Sequence, residues 1–408
     1  MRILSPEWKV HHKGTPTFYA LKRMKDRMHH KGTPTFYALK RMKDRMLSGW
    51  RFARGFAQHS ALSTQHWPIA IFMAISLAGC AKEPPVYREQ SFVFGTLAEV
   101  TIYGEEAARA KELAGKVLAD FDFFHRTLHA WEPGSLSRMN SVFAQSPAKA
   151  AIVPGMVPIL RDATRLSEMS GGLFNPAIGK LVALWGFQGD EFQPRRPGPA
   201  EIEALVKADP RMSDIVVEGI LFYSKNPAVR LDLGGYAKGY ALDMTAAYLR
   251  GQGVKGALIN IGGNIMAIGS RGSQPWRVGV QHPRKAGAIA SLALHDGEAI
   301  GTSGDYQRYF MLDGKRYCHI IDPRTGYPAQ GVQAVTVVIP KGEKAGTLSD
   351  VASKPIFISG VKGWREAAKN MGVENAMLID EHGEIHLTAA MKKRLEFQDK
   401  GVILHEVP

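Results

Sequence analysis

Between Leu231 and Asp243 an acid, two glycines and a base lie within one short stretch: Asp232, Gly234, Gly235 and Lys238. With no Cβ, the two glycines let main-chain carbonyls and amides approach a ligand closely. Opposite charges at the mouth of such a turn suit a phosphate ester held with a metal ion. A glycine turn that only reverses the chain would carry the same letters. The pattern is not the G-x-G-x-x-G of a dinucleotide fold or the G-x-x-x-x-G-K-[ST] of a phosphate loop.

The elements that must position this turn are legible on both sides of it. Val229 to Leu233 reads as the end of a strand, and a helical pattern starts at about Ala237. Upstream, Leu97 to Tyr103 alternates like a half-buried strand. Glu105 to Ala130 follows as a long helix, with Leu113, Val117, Phe121, Phe124 and Leu128 on one stripe. Trp131 to Asn140 reads as a loop. A second helix, about Met156 to Met169, stops at Gly171 and Gly172 and delivers Phe174, Asn175 and Pro176; residues 190–200 read as a surface loop. Downstream, Ala257 to Ile261 is a strand ending in Gly262, Gly263 and Asn264, and strand-like runs recur at 276–281, 289–295 and 298–301. Asp313 and Gly314 suit a hairpin turn. Val335 to Ile339 is a buried strand, 343–359 a helix despite Pro355, and Ala376 to Ile379 with Glu384 to Leu387 a last hairpin. Strand runs joined by short turns, with helices between groups, predict α+β with antiparallel sheets and packed helices.

Net charge is +14 over 408 residues, but the excess has an address. Residues 1–79 hold fourteen Lys and Arg against Glu7, Asp26 and Asp44. The remainder is nearly balanced and carries no basic stripe, so nucleic acid is excluded as a partner. Within the leader, residues 11–28 recur unchanged at 29–46. A basic, aliphatic-poor duplication cannot bury a face, and two copies do not make a solenoid. Residues 1–45 are therefore read as a duplicated, non-structural leader, with Met46 a candidate start; a basic arm for a membrane surface is the alternative. Residues 46–79 have the pattern of an export signal: Arg51 and Arg54, an apolar run from Pro68 to Leu77, then small residues. That run is too short to span a bilayer. Its end, Leu77-Ala78-Gly79-Cys80, resembles the lipobox of bacterial lipoproteins, which predicts a lipidated Cys80, a tether over 80–89 and a folded domain over 90–408. With only Cys80 and Cys318, a disulfide scaffold or cysteine-rich zinc site is excluded, and Cys318 reads as a small buried hydrophobe.

Taken in order, several motifs resemble the ApbE family of FAD:protein FMN transferases from about Phe94 to Leu387. They are Gly95-Thr96; Trp131, Ser135 and Asn140; Phe174 to Pro176 with Leu184 to Phe187; Asp232 to Gly239; Asn260 to Asn264; Thr302 to Gly304; His319 to Gly326; and Ser349-Asp350. The resemblance implies an ApbE-like, T-fold-related fold and a periplasmic lipoprotein that uses Mg2+ to split FAD. FMN would pass to a threonine or serine hydroxyl of an acceptor, a redox-pump or other membrane flavoprotein subunit, with release of AMP. It implies lipid anchoring in the bacterial cell envelope on the periplasmic side, at the inner membrane in preference to the outer. For FAD it points to Phe94, Trp131, Phe174, Asn175, Pro176, Asp232, Lys238, His319 and Ile320. For the metal it points to Asp350 and the carbonyl of Gly235.

Each assignment has a plainer reading: Asp350 as a helix-capping acid, the aromatics as core. The incoming hydroxyl needs a proton acceptor, and His319 is the candidate, since a histidine titrates near neutrality; a hydrogen-bonded structural histidine is the alternative. The chain departs from the family at Phe94, where methionine is usual, and at Lys354, where a metal-binding threonine is usual. Ser353 then takes over as ligand, or Lys354 neutralises phosphate itself, or metal affinity falls. An FAD-binding lipoprotein without transfer activity and a metal-dependent FAD pyrophosphatase are the rival functions.

Overall fold

The computed structural model describes residues 84–189, 191–398 and 401–407. The expected leader, signal segment and lipidated Cys80 lie outside the described residues. Nine strands form the main sheet, and their order across it is their order along the chain. They are β1 (Val86–Val93), β2 (Thr96–Tyr103), β3 (Gly256–Ile261), β4 (Asn264–Gly269), β5 (Ala299–Gly304), β6 (Val332–Ile339), β7 (Asn375–Asp380), β8 (Ile385–Thr388) and β9 (Leu404–Val407). All neighbours are antiparallel except β8 and β9. Such a sheet needs only tight turns or self-contained excursions between strands. The functional pieces are carried on the excursions.

The first excursion, between β2 and β3, carries the helices α1 (Ala107–Leu128), α2 (Ser135–Phe143), α3 (Met156–Met169), α4 (Gly179–Leu184), α5 (Pro199–Ala208) and α6 (Ala237–Gly251). A hairpin of Trp276–Gln281 and Ala288–Leu294 follows β4, a second of Tyr309–Leu312 and Lys315–Cys318 follows β5, and α7 (Ala345–Asn370) follows β6. All eight residues of β6 are buried. Val335, Val337 and Ile339 join the core shared with α1, α6 and α7, whereas Ala334 and Val338 join Trp276, Leu292 and Leu294. Period-two alternation thus feeds two cores, helices on one face and a small sheet on the other.

Several expectations are corrected. The fold starts at Val86, inside the expected tether: β1 pairs with β2 over its whole length. It reads as a tether because an edge strand needs little apolar alternation, and its first seven residues are all at least partly exposed. The Trp131 to Asn140 segment is a loop only as far as Gly134, where α2 begins. Val229 to Leu233 is not a sheet strand; one parallel bridge joins Arg230 to Ile178. The last long helix continues well past 359, broken at Gly360, whose φ of +60° only glycine adopts readily. The second helix, the start of α6, the Asp313-Gly314 turn and the final hairpin fall where expected.

Candidate active site

The glycine turn is gripped before it is made. Asn140 closes two hydrogen bonds on the backbone of Leu231: its Oδ1 accepts from the amide at 2.7 Å and its Nδ2 donates to the carbonyl at 2.9 Å. The amides of Arg230 and Asp232 donate to the carbonyls of Ala177 and Pro176 at 3.1 and 2.8 Å, so the Phe174 to Pro176 segment is laced to the chain entering the turn. Asp232 then accepts from the Gly234 amide at 2.8 Å and from Trp131 Nε1 at 3.2 Å, while the Arg230 guanidinium stacks 4.2 Å from the indole centroid. Trp131 is thereby pinned beside the turn.

After the turn, α6 meets α7 at glycine. A Cβ on Gly239 would lie 2.4 Å from the Gly346 carbonyl oxygen and 2.8 Å from Asp350 Cβ. That approach lets the Gly239 amide donate to Asp350 Oδ2 at 3.0 Å, so the turn and the distant carboxylate share one site. Asp350 is buried, with its other oxygen 2.7 Å from Lys354 Nζ and 3.8 Å from Lys238 Nζ. Burial alone would raise its pKa, but Lys238, Lys354 and the Gly239 amide together hold it well below the usual carboxylate range. Burial lowers the Lys354 pKa, opposed by Asp350.

This donor set does not fit magnesium. Mg2+ requires six oxygens in near-octahedral array. Of the expected ligands, Asp350 already faces two ammonium groups and an amide, and Gly235 lies against the Lys354 stem, a Cβ there being 2.6 Å from Cε. Ser353, expected as a substitute ligand, is buried with its hydroxyl bonded to Ser303 Oγ at 2.7 Å and to the Asp350 carbonyl at 2.9 Å, and it does not line the cleft. One helical step moves a side chain by ~100°, so neighbours in sequence cannot present their heads to the same point.

The cleft itself has a volume of about 600 Å³, inside the ~300–1,000 Å³ typical of small-molecule sites. Phe94, Trp131, Phe174, Asn175, Pro176, Asp232, Gly235, Lys238, His319, Ile320 and Asp350 all line it, so every sequence-predicted FAD contact is brought together. Phe94 packs against Phe121 and His125 with φ of +56° at the β1–β2 turn. Asn175 lines the wall, but its amide is engaged by the Pro210 carbonyl and the Ala177 amide, which makes it a turn-former. Sequence reasoning missed Arg308, which lines the cleft and donates to the carbonyls of Phe187 and Gly189 at 3.0 Å. No motif surrounds it in the sequence. It also missed why Asn140 and Trp185 recur in the motifs: Trp185 Nε1 donates to Gly326 at 2.7 Å and stacks on Tyr317, bracing the loop after His319.

His319 Nδ1 lies 3.2 Å from the Arg308 carbonyl, the geometry of a donated N–H that leaves Nε2 as an acceptor. Burial first, then the charges of Arg308 and Lys238, push its pKa down to about 3. Asp322 accepts from the Arg324 amide and guanidinium and does not line the cleft, consistent with a turn-orienting role. At the cleft rim His125, His129 and Glu132 present ligand atoms within 4.8 Å of one another. His129 Nδ1, however, already accepts from the amides of Trp131 and Glu132, which leaves Nε2 protonated and unable to ligate.

The sequence profile of the ApbE family matches residues 94–378. A Rhodobacter capsulatus protein named FAD:protein FMN transferase is 37% identical over 352 residues, 85% of this chain; the chain spans 66% of that relative's length. A Salmonella typhimurium protein of the same name is 31% identical over 77% of this chain and 92% of its own. Among solved structures, the ApbE protein of Thermotoga maritima superposes with a TM-score of 0.69 at 29% identity, covering 76% of this chain and 99% of that one. The Pseudomonas stutzeri flavinyl transferase ApbE gives 0.66 at 25% identity, over 77% and 98%. The ordered motifs, the cleft they line and the 94–378 match lead to one conclusion: the chain belongs to the ApbE family.

Proposed function

We propose that the chain transfers the FMN half of FAD to the hydroxyl of a threonine or serine on an acceptor flavoprotein and releases AMP. The observation that carries this reading is the 3.0 Å hydrogen bond from the Gly239 amide to Asp350, which joins the glycine turn to a buried carboxylate and its lysines inside one cleft. The names of the relatives support it. In the reaction the acceptor oxygen attacks the FMN-side phosphorus, the bond from that phosphorus to the bridging oxygen breaks, and AMP departs with the bridging oxygen. Positioning and charge neutralisation supply most of the rate in such transfers. Lys238 and Lys354 offset the diphosphate, Trp131 and Phe174 wall the rings, and His319 Nε2 takes the hydroxyl proton. A histidine with a pKa of about 3 is a weak base; burial, the larger cause, remains, but a bound diphosphate offsets the charges of Arg308 and Lys238 and moves the pKa part of the way back up. Because its residues do not fit a divalent ion, none enters these steps.

Incubating the purified protein with FAD and a candidate acceptor tests the reading. Flavin that stays on the acceptor after denaturation supports it. Free FMN with AMP means hydrolysis, and intact FAD means binding alone; either result overturns it. We further propose lipid anchoring through Cys80 on the periplasmic side of the inner membrane, which would place the enzyme beside membrane flavoprotein subunits, redox pumps included. Cys80→Ser should then release the protein to the soluble fraction.

A further inference from the structure

The space between Gly235 and Asp350 is filled by the chain itself. Lys354 stands four residues after Asp350 on α7, and its Nζ reaches back to Asp350 Oδ1 at 2.7 Å and to the Asp350 carbonyl at 2.6 Å. Its stem runs against Gly235 so closely that a Cβ on that glycine would sit 2.9 Å from Cδ and 2.6 Å from Cε. The room left by the missing Cβ of Gly235 is taken up by this side chain. The lysine side chain is 16% exposed, and the exposed part faces the cleft.

We infer that Lys354 is a tethered cation that takes the place of a divalent metal, so that this protein holds the diphosphate of FAD without one. An ammonium has three N–H donors. Two are engaged by Asp350, and the third is left for a phosphate oxygen in the cleft. Lys238 lies 3.8 Å from the same Asp350 oxygen, and its Nζ donates to the Gly234 carbonyl at 3.3 Å. A divalent ion entering here would have to displace Lys354 from Oδ1 and then remain beside two ammonium groups. The nearby carboxylates already use their oxygens as acceptors, Asp232 from Gly234 and Trp131 and Asp243 from Gly346 and Thr347, so neither offers the ion a ready ligand. Lysine cannot give the metal a lone pair while charged, and Ser353 is turned to Ser303.

The inference rests on FAD being the substrate, and the test separates the two claims. FAD is titrated onto the full chain in detergent, in EDTA and again in millimolar Mg2+, by flavin fluorescence. Binding that changes less than about twofold between the two conditions supports a resident cation. Binding that weakens tenfold or more in EDTA and recovers with Mg2+ overturns the inference and leaves the transferase reading intact. Failure to bind FAD in either condition overturns both. Lys354→Thr should weaken FAD tenfold or more in EDTA and recover in Mg2+. Mn2+, followed by its electron spin resonance, should bind that variant and not the parent. Parent protein that takes up stoichiometric Mn2+ at micromolar concentration also overturns the inference, and that measurement needs no variant to fold.

Discussion

Asp243 and Asp350 are both carboxylates at the interface of α6 and α7, yet they are driven in opposite directions. Each helix lends one to the other. Asp243, on α6, accepts from the amides of Gly346 and Thr347 at 2.7 and 2.8 Å and from the Thr347 hydroxyl at 2.6 Å, capping the start of α7. Asp350, on α7, accepts from the Gly239 amide and is flanked by two lysines. Burial raises the Asp243 pKa to about 6 in spite of its donors. At Asp350 burial acts in the same sense, but nearby ammonium groups outweigh it and the pKa falls. The difference is the presence of full positive charge. Neutral donors make a buried acid into a latch between helices; cations make it the anchor of an anion site.

Prising the shared contact apart should have the largest effect. Gly239→Ala puts a methyl 2.4 Å from the Gly346 carbonyl oxygen and 2.7 Å from Thr347 Cα, both main-chain positions that cannot swing aside. Overpacking of this kind costs ~1–3 kcal/mol and more where backbone must move. We expect a drop in Tm of ~2–5 °C or more together with loss of FAD binding, since one step disturbs both carboxylates. A normal melting curve would mean that the helices are not clasped here.

The next test separates the two acids. Asp350→Asn leaves Lys354 buried beside a neutral amide, and removing one member of a buried pair costs ~3–5 kcal/mol. Transfer should fall at least ~100-fold. Asp243→Asn touches no cleft residue, so kcat and FAD affinity should stay within about twofold while stability falls by ~1–2 kcal/mol from the lost cap. Equal losses of transfer from both variants would erase the distinction between latch and anchor.

Much of this was legible beforehand, and the division is physical. Met156 to Met169 and the start of α6 were readable because apolar period and glycine punctuation are local. The Asp232 to Lys238 turn was readable as anion chemistry for the same reason. Asp243 was invisible as a latch: its partners lie about a hundred residues on, and only the close Gly239–Gly346 approach brings them together. Asn140 was a motif residue without a mechanism until Leu231 lay between its amide atoms. Lys354 stood out as a departure from the family pattern, but its pose against Gly235 depends on how two helices meet.

pH sharpens the comparison with a smaller effect. Asp243 is raised from 3.8 to about 6, so its contribution to stability is full below pH ~4 and is lost as pH rises through 6. Asp350 has the opposite sign, its contribution being present above pH ~4 and lost in acid. Between pH 5 and 7 the parent should therefore lose roughly 1–2 kcal/mol of stability relative to Asp243→Asn. The Asp243 step should leave FAD affinity unmoved, because Asp243 does not line the cleft and Asp350 titrates below this window; a rise in FAD affinity on acidification belongs to His319, whose pKa the bound diphosphate moves up from about 3. A pH dependence of FAD affinity that vanishes in Asp243→Asn would make that carboxylate part of the anion site.

The mildest change isolates one donor. Thr347→Val keeps the β-branched shape and removes only the hydroxyl that donates to Asp243 at 2.6 Å. A hydrogen bond to a charged group contributes ~1.5–3 kcal/mol, but two amides remain on the same carboxylate, so about 1 kcal/mol should be lost at pH 7. At pH 5 the loss should shrink, because Asp243 is then largely protonated and the hydroxyl can exchange roles with it. FAD binding should be indifferent at both values. If Thr347→Val weakens FAD as much as stability, the cap on α7 also sets the position of Asp350, and latch and anchor are one device.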